Sequence, residues 1–472
     1  MTQHTISKNN LINLEIFRAY DIRGIVDCSL TEETVFLIGK AIGTKTLLNG
    51  TNEVVIARDG RLSSPRLINQ LTQGIISTSC NVLDIGLVPT PVLYFAASTL
   101  NIASAVMITG SHNPPNYNGL KIILAKQAIY GEQILELKNL IINNKFIDNT
   151  NLGQIKYINI IINYINYIVN NIKYLNKSKN KLKIVIDCGN GAASVVAVPL
   201  FESLGITCIP LYCEVDGNFP NHHPDPGDPK NLQELQQAVL DNKADLGIAF
   251  DGDGDRLGVI DNQGNIVWPD RYLMLFAKDI LANNKNGVII YDVKSTNHLH
   301  NVIKQAGGQP LMWKTGHSLI KAKMQETNAL LAGEMSGHIF FKDRWFGFDD
   351  GLYTAARLLE LIIYANKDLN SLCNTLPQNF STSELIIQST ETNKHIIIAK
   401  LIELIKETTA TISMIDGIRL DFNDSWGVIR SSNTTPTLVA RFEAISLNSL
   451  ENIKTIFRNY LIKIDPNLSI PF

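Results

Sequence analysis

Short apolar runs punctuate the 472-residue chain and end in Gly, Asp or Asn, as in "NEVVIARDG", "KIVIDCGNG", "LGIAFDGDGD" and "GVIIYDVK". Runs of this length bounded by turn formers predict buried strands, and amphipathic stretches of helix length follow several of them. The alternation predicts an α/β fold built in layers. "GLYTAARLLELIIYAN", residues 351–366, has helical periodicity, and the Pro, Asn, Ser and Thr of residues 374–384 mark a break after it. Residues 158–183, almost entirely Ile, Asn, Tyr and Lys, predict a helix followed by a polar tail.

Length then matters, because one hydrophobic core rarely serves more than about 250–300 residues. The expected division is 1–163, 164–266, 267–378 and 379–472, although no internal repeat is visible. With 42 Lys and Arg against 44 Asp and Glu, the net charge of -2 provides no global field for nucleic acid or an acidic membrane. Six scattered cysteines with no CxxC pair read as buried thiols in a reducing compartment. The N-terminus lacks the basic start and apolar run of a signal peptide, and no stretch of roughly 18 uncharged apolar residues occurs. The expectation is a cytoplasmic protein, monomeric or weakly dimeric, that touches neither nucleic acid nor membrane.

The most specific polar cluster is "IAFDGDGDRLGVID", where Asp251, Asp253 and Asp255 alternate with glycines. In an extended segment such residues project to one side, and three carboxylates so placed call for a hard cation such as Mg²⁺ or Ca²⁺. An EF-hand would need Gly at the sixth position and Glu at the twelfth, where this chain has Arg256 and Asn262. A haloacid-dehalogenase-like phosphatase with an Asp nucleophile is the closer rival, but its fifth position is normally Thr or Val, not Asp255.

"VMITGSHNPPNYNGLKIILAK", residues 106–126, presents Ser111 between a glycine and two prolines that restrict the loop. The hydrolase elbow G-x-S-x-G is absent, and His112, adjacent in sequence, is not expected to swing round as base for Ser111. A phosphorylatable Ser111 facing a cation held by the three aspartates, with Lys121 able to take or give a proton, is chemically coherent. Alternation in "GEMSGH" would put Glu334, Ser336 and His338 on one face of a strand, where a carboxylate can accept from neighbouring sugar hydroxyls. Gly316 and His317 precede a helical pattern with Ser318 as a candidate N-cap. "RSSNTTP" gathers Arg430, Ser432, Asn433, Thr434 and Thr435 in one turn, a donor set suited to phosphate. "NHHPDPGDP", 221–229, reads as a structured loop.

Taken together, "FRAYDIRG" (17–24), "TGSHNPP", "FDGDGDR", "GEMSGH" and "RSSNTTP" resemble the α-D-phosphohexomutase superfamily, closest to its bacterial phosphomannomutase/phosphoglucomutase group. The resemblance implies three similar mixed α/β domains plus a smaller C-terminal α+β domain around a central cleft. It implies hexose 1-phosphate to hexose 6-phosphate interconversion, on mannose or glucose, through a phosphoserine and a 1,6-bisphosphate. Phosphoglucosamine is the alternative substrate. Ser111, Lys121, His112, Arg23, Arg256 and His338 are the implied catalytic group, with Lys121 assisting proton transfer. Ser111, Asp251, Asp253 and Asp255 would hold one Mg²⁺. Tyr20, Lys294, His317, Glu334, Ser336, Arg430, Ser432, Asn433 and Thr434 would bind the phosphosugar, and glucose 1,6-bisphosphate would act as activator. The departures, Ser194 in "GNGAAS" and Ser64 in "RLSSP", lie outside the residues carrying chemistry.

Overall fold

A computed structural model describes residues 13–173, 181–405, 408–432 and 435–472. Its first sheet contains β1 (Ile22–Ile25), β2 (Glu53–Arg58), β3 (Asn81–Leu87), β4 (Ser104–Ile108), β5 (Tyr117–Leu124), β6 (Gln127–Ala128) and β7 (Ile155–Tyr157). They run in the order β1-β5-β4-β2-β3-β7, with β6 paired to β5. A second sheet, β11-β10-β8-β9, is made of β8 (Lys183–Asp187), β9 (Thr207–Leu211), β10 (Leu246–Phe250) and β11 (Leu257–Asp261). The third, β13-β12-β14-β15, uses β12 (Val288–Asp292), β13 (Gln309–Trp313), β14 (Leu331–Gly333) and β15 (Ile339–Phe341).

These three sheets share one plan. A central strand (β2, β8, β12) pairs in parallel with the next strand on one side and the strand after that on the other, and a final strand returns antiparallel. Helices cover both faces, so the parallel strands are near-continuous apolar runs such as "VVIA" and "IVID". The helices Glu32–Leu48 and Ser64–Ile76 approach so closely that a Cβ on Gly74 would fall 2.1 Å from the Phe36 carbonyl. The repeat that the sequence does not display is therefore real in the topology.

The last domain is different. β16 (Phe380–Ser381), β17 (Leu385–Gln388), β18 (Thr411–Ser413), β19 (Ile418–Asp421), β20 (Ser425–Ser431) and β21 (Thr437–Ala444) form an antiparallel sheet. The helices Glu391–Leu404 and Leu447–Ile464 pack against it through Leu401, Ile453 and Phe457. Four domains of this kind are the α/β plus α+β architecture expected from the resemblance.

Within residues 158–183 the helix forms at Ile161–Asn171, and the polar tail at 174–180 lies outside the described residues. Buried Tyr164 on this helix donates to both carboxylate oxygens of Asp350 at 2.9 Å, which ties it to the start of the helix Gly351–Ala365. The cysteines depart from the expectation of uniform burial: Cys80 and Cys188 are buried, Cys28 is exposed and the other three are half-buried. Among the described residues, no helix is long and apolar enough to cross a membrane.

Candidate active site

In each of the three related domains, the loop between the third strand and its antiparallel return carries one of the polar motifs. They are 109–116 after β4, 251–256 after β10 and 334–338 after β14. In open α/β sheets this end of the parallel strands is where ligands collect. The three loops converge with a turn of the C-terminal domain on a cleft enclosing about 540 Å³.

Ser111 sits at the tip of its loop with φ +49, in the left-handed region that costs a non-glycine residue roughly 1–2 kcal/mol. Arg61, almost wholly buried, holds that conformation. Its Nη2 donates to the carbonyls of Ser111 (2.7 Å) and Asn113 (2.6 Å), and its Nη1 to those of Pro114 (2.6 Å) and Tyr117 (3.1 Å). Asp59 faces Arg61 Nε at 3.2 Å and accepts from the Gly110 amide at 3.1 Å, while Ser64 donates to the same carboxylate at 2.6 Å. Arg61→Lys keeps the charge but cannot fork across four carbonyls. Its kcat is expected to fall at least about tenfold, or ~1.4 kcal/mol, with KM within about twofold of wild type in steady-state assays. Unchanged kcat would show that the loop holds itself.

The left-handed turn also corrects the expectation for His112. Ser111 Oγ lies 3.2 Å from His112 Nδ1 despite their adjacency, because the turn brings the two side chains together. Burial, then the charges of Arg256 and Arg23, holds the His112 imidazole well below its ordinary pKa.

Ser111 Oγ donates to Asp251 Oδ2 at 3.0 Å. Asp251, Asp253 and Asp255 are fully buried, with one ligand atom of each within 4.8 Å of the others. They converge through a turn with Gly254 at φ +75, not through the strand alternation expected from sequence. A Cβ on Gly252 would lie 2.4 Å from the Ser111 carbonyl, so glycine lets the acidic and serine loops touch.

Lys121 Nζ bridges Asp253 Oδ2 (2.7 Å) and Asp255 Oδ2 (2.5 Å), and Thr90 donates to Asp253 Oδ2 at 2.6 Å. Burial opposes the Lys121 charge, but the two carboxylates outweigh it and hold the ammonium well above its ordinary pKa. In this arrangement Lys121 is a cation held between two carboxylates. Asp251 is pushed up by burial and by its two neighbours; for Asp253 the Lys121 charge overcomes burial and pulls it down. The Oδ1 atoms of Asp253 and Asp255 are buried without a hydrogen bond, that of Asp255 lying 3.4 Å from His338 Nδ1. Orphaned carboxylate oxygens in a three-carboxylate cradle fit a hard divalent cation.

The third loop is a tight turn between β14 and β15, not the polar-faced strand expected: the Glu334 amide donates to the His338 carbonyl (2.9 Å) and the Gly337 amide to the Glu334 carbonyl (3.0 Å). Glu334 and His338 are buried and Ser336 half-buried, and all three line the cleft. Glu334 accepts from the Gly316 amide at 2.5 Å. Gly316, at φ +134, caps the helix His317–Thr327, so Ser318 is the second residue of that helix and not its cap. The His317 ring stacks 5.7 Å from that of His338 and meets Tyr20 edge-on at 5.9 Å. His338 Nε2 accepts from Arg256 Nε at 3.0 Å, which leaves the ring proton on Nδ1, 3.1 Å from Asp349. Arg23 pairs with Asp21 at 2.6 Å and also donates to Asn113.

From the last domain, Arg430 donates Nε to Asp416 at 2.8 Å while its buried Nη2 has no partner. Ser432 accepts from the Thr435 amide at 3.1 Å, and Lys394 donates to the Ser432 carbonyl at 2.7 Å. Asn433 and Thr434 lie outside the described residues. Lys294 pairs with Glu384 across the domain boundary. A larger cavity of about 820 Å³, lined by Tyr94, Lys126 and Lys342 among others, carries none of the candidate catalytic, metal-binding or substrate-binding residues.

Sequence reasoning missed Arg61, Thr90, Glu384 and Asp349. Asp349 is wholly buried, 2.8 Å from Lys321 Nζ and 3.8 Å from His317. The "RDGR" and "FDDG" punctuation gave a signal for Arg61 and Asp349, but nothing in the sequence named their partners.

Family models described as phosphoglucomutase/phosphomannomutase α/β/α domains I, II and III match residues 14–148, 163–264 and 268–380, and the C-terminal domain model matches 387–459. A phosphomannomutase/phosphoglucomutase of Pseudomonas aeruginosa is 52% identical over 97% of each chain. A phosphoglucomutase of Neisseria meningitidis is 48% identical over 97% of this chain and 98% of its own. Among solved structures, a phosphoglucomutase/phosphomannomutase family protein from Burkholderia thailandensis superposes with a TM-score of 0.91 at 46% identity, covering 98% of this chain and all of that one.

Proposed function

Because the chain belongs to the phosphoglucomutase/phosphomannomutase family of α-D-phosphohexomutases, we propose that it interconverts the 1- and 6-phosphates of mannose and glucose. The observation that carries this reading is one cleft lined both by Ser111, whose Oγ donates to the acidic cradle, and by Arg430, whose buried Nη2 has no hydrogen-bond partner.

Ser111 Oγ is the atom we assign to carry the phosphoryl group. On transfer, the P–Oγ bond breaks, a bond forms to the free hydroxyl of the hexose phosphate, and the hydroxyl proton leaves to His338 Nε2, the unprotonated nitrogen, once Arg256 has turned its Nε–H from that nitrogen to the phosphoryl oxygens. Asp251, Asp253, Asp255 and Ser111 would hold Mg²⁺, whose charge offsets that of the phosphoryl oxygens. Lys121 places an ammonium against the acidic cradle that Ser111 Oγ faces, where its charge offsets the negative charge that develops on transfer. Glu334 and Ser336 accept and donate to sugar hydroxyls, with Lys294, His317 and Tyr20 closing the wall. The resulting 1,6-bisphosphate turns over in the cleft and returns its other phosphate to Ser111. Added glucose 1,6-bisphosphate would re-phosphorylate enzyme that has lost the group. Cytoplasmic work as a monomer or weak dimer fits these small soluble substrates.

Arg430 is the grip for whichever phosphate is distal, since a guanidinium fork reads phosphate without reading the sugar's orientation. Arg430→Ala is expected to raise KM by a factor equivalent to roughly 1.5–3 kcal/mol. It should also release bisphosphate early, so that sustained turnover needs added activator. Progress curves with and without glucose 1,6-bisphosphate check this, and coincident curves at unchanged KM would make Arg430 a turn residue only.

Turnover assays on the 1-phosphates of mannose, glucose and glucosamine test the proposal. Mannose and glucose are the expected substrates. Preference for glucosamine 1-phosphate would reassign the sugar, and no turnover of any of the three would reject the activity.

A further inference from the structure

The second domain holds a pair of nucleophiles that phosphoryl transfer leaves unused. Cys188 follows β8 and Cys213 lies just past β9; these adjacent parallel strands are paired from Lys183↔Thr207 to Asp187↔Leu211. The two sulfurs are 3.4 Å apart, against about 2.05 Å in a disulfide. Main-chain bonds already fasten the two strand ends together: the Cys188 amide donates to the Leu211 carbonyl at 3.2 Å and the Asn190 amide to the Tyr212 carbonyl at 2.9 Å. Only a small sulfur displacement separates the pair from a covalent link.

The two thiols differ in access. Cys188 is wholly buried and Cys213 half-buried. Burial pushes the Cys188 thiol well up, whereas the hydrogen bond with Cys188 pulls Cys213 below its ordinary value despite its own burial. Thiolate character and access both favour Cys213 as the group attacked first, with Cys188 poised to resolve it.

From Cys188 the chain leads directly to the acidic cradle. The Gly191 amide donates to the Cys188 carbonyl at 2.7 Å, and the Ala192 amide to the Gly252 carbonyl at 2.9 Å. Gly252 is the residue that packs on the Ser111 carbonyl. Two main-chain hydrogen bonds thus connect Cys188 with the loop bearing Asp251 and Asp253.

We propose that Cys188 and Cys213 form a modification site for hydroperoxides, closing to a disulfide that slows turnover through the contact of Ala192 with Gly252. Cys213–SH and ROOH give Cys213–SOH and ROH, the sulfur losing two electrons to the O–O bond. Cys188–SH then attacks the sulfenic sulfur, forming the S–S bond and releasing water. An external dithiol reverses the link.

The test exposes the whole enzyme to hydrogen peroxide, alkylates free thiols, and maps the peptides by mass while hexose phosphate turnover is followed. The expected result is a Cys188–Cys213 linked peptide whose fraction rises as turnover falls, with both restored by dithiothreitol. Cys213→Ser, and independently Cys188→Ala, should form no such link and keep their turnover under the same exposure. Oxidation of exposed Cys28 without any Cys188–Cys213 link would overturn the proposal. So would a complete link with unchanged turnover, or variants inactivated as fast as the wild type. The link is read by mass and stands apart from the assigned activity, on which only the turnover readout rests.

Discussion

Ser111→Ala is expected to bind mannose or glucose 1-phosphate with nearly wild-type affinity and to turn it over at less than about a thousandth of the wild-type rate. The variant keeps the surrounding groups, because the loop is held through the carbonyls of Ser111, Asn113, Pro114 and Tyr117, and none of these depends on the hydroxyl. Glu334, Lys294 and Arg430 are untouched, so ground-state binding persists. What disappears is the oxygen 3.0 Å from Asp251 Oδ2 that we propose carries the phosphoryl group. Calorimetric titration of the sugar phosphate together with a coupled mutase assay separates the two effects. Near-normal turnover by a clean preparation would remove Ser111 from the chemistry.

Asp253→Asn should have the next largest effect, a loss of about 10²–10³ in kcat, the range seen when a positioned electrostatic contact to a developing charge is removed. Asp253 accepts from both Lys121 and Thr90 through Oδ2 and leaves Oδ1 bare toward the cradle. Asparagine preserves the shape but removes the charge, and it leaves the buried Lys121 ammonium with Asp255 as its one remaining close carboxylate. Half-saturation with Mg²⁺ should shift to higher concentration, and EDTA should abolish activity of the parent enzyme, while circular dichroism shows an intact fold. Unchanged kcat combined with indifference to EDTA would make the acidic loop purely structural.

Much of the candidate site was legible in sequence because its polar residues are concentrated in short loops. Ser111, the three aspartates, Glu334, His338 and Arg430 stand where apolar runs break, and they line or border one cleft. The geometry of those loops was less legible. Alternating polar residues in "GEMSGH" imitate a strand, yet the Glu334 to His338 hydrogen bond closes a turn over the same period. The positive φ of Ser111 has no sequence signature, so the approach of His112 was not expected.

Supporting residues were hidden for another reason. Arg61 is 50 positions from Ser111, and Thr90 is 163 from Asp253, so their roles exist only after the sheets form. The three related domains likewise share strand order and pairing, while glycine is the one residue type common to all three motif loops. Topology is set by burial on both faces of each sheet, which many apolar sequences satisfy.

Phosphopeptide mapping tests the central claim most directly. Enzyme incubated with glucose 1,6-bisphosphate and Mg²⁺ should carry one phosphoryl group on the peptide containing Ser111. The bond should survive acid and pass to added mannose or glucose 1-phosphate. An acid-labile phosphoryl group on Asp251, the mark of an acyl phosphate, would contradict the account.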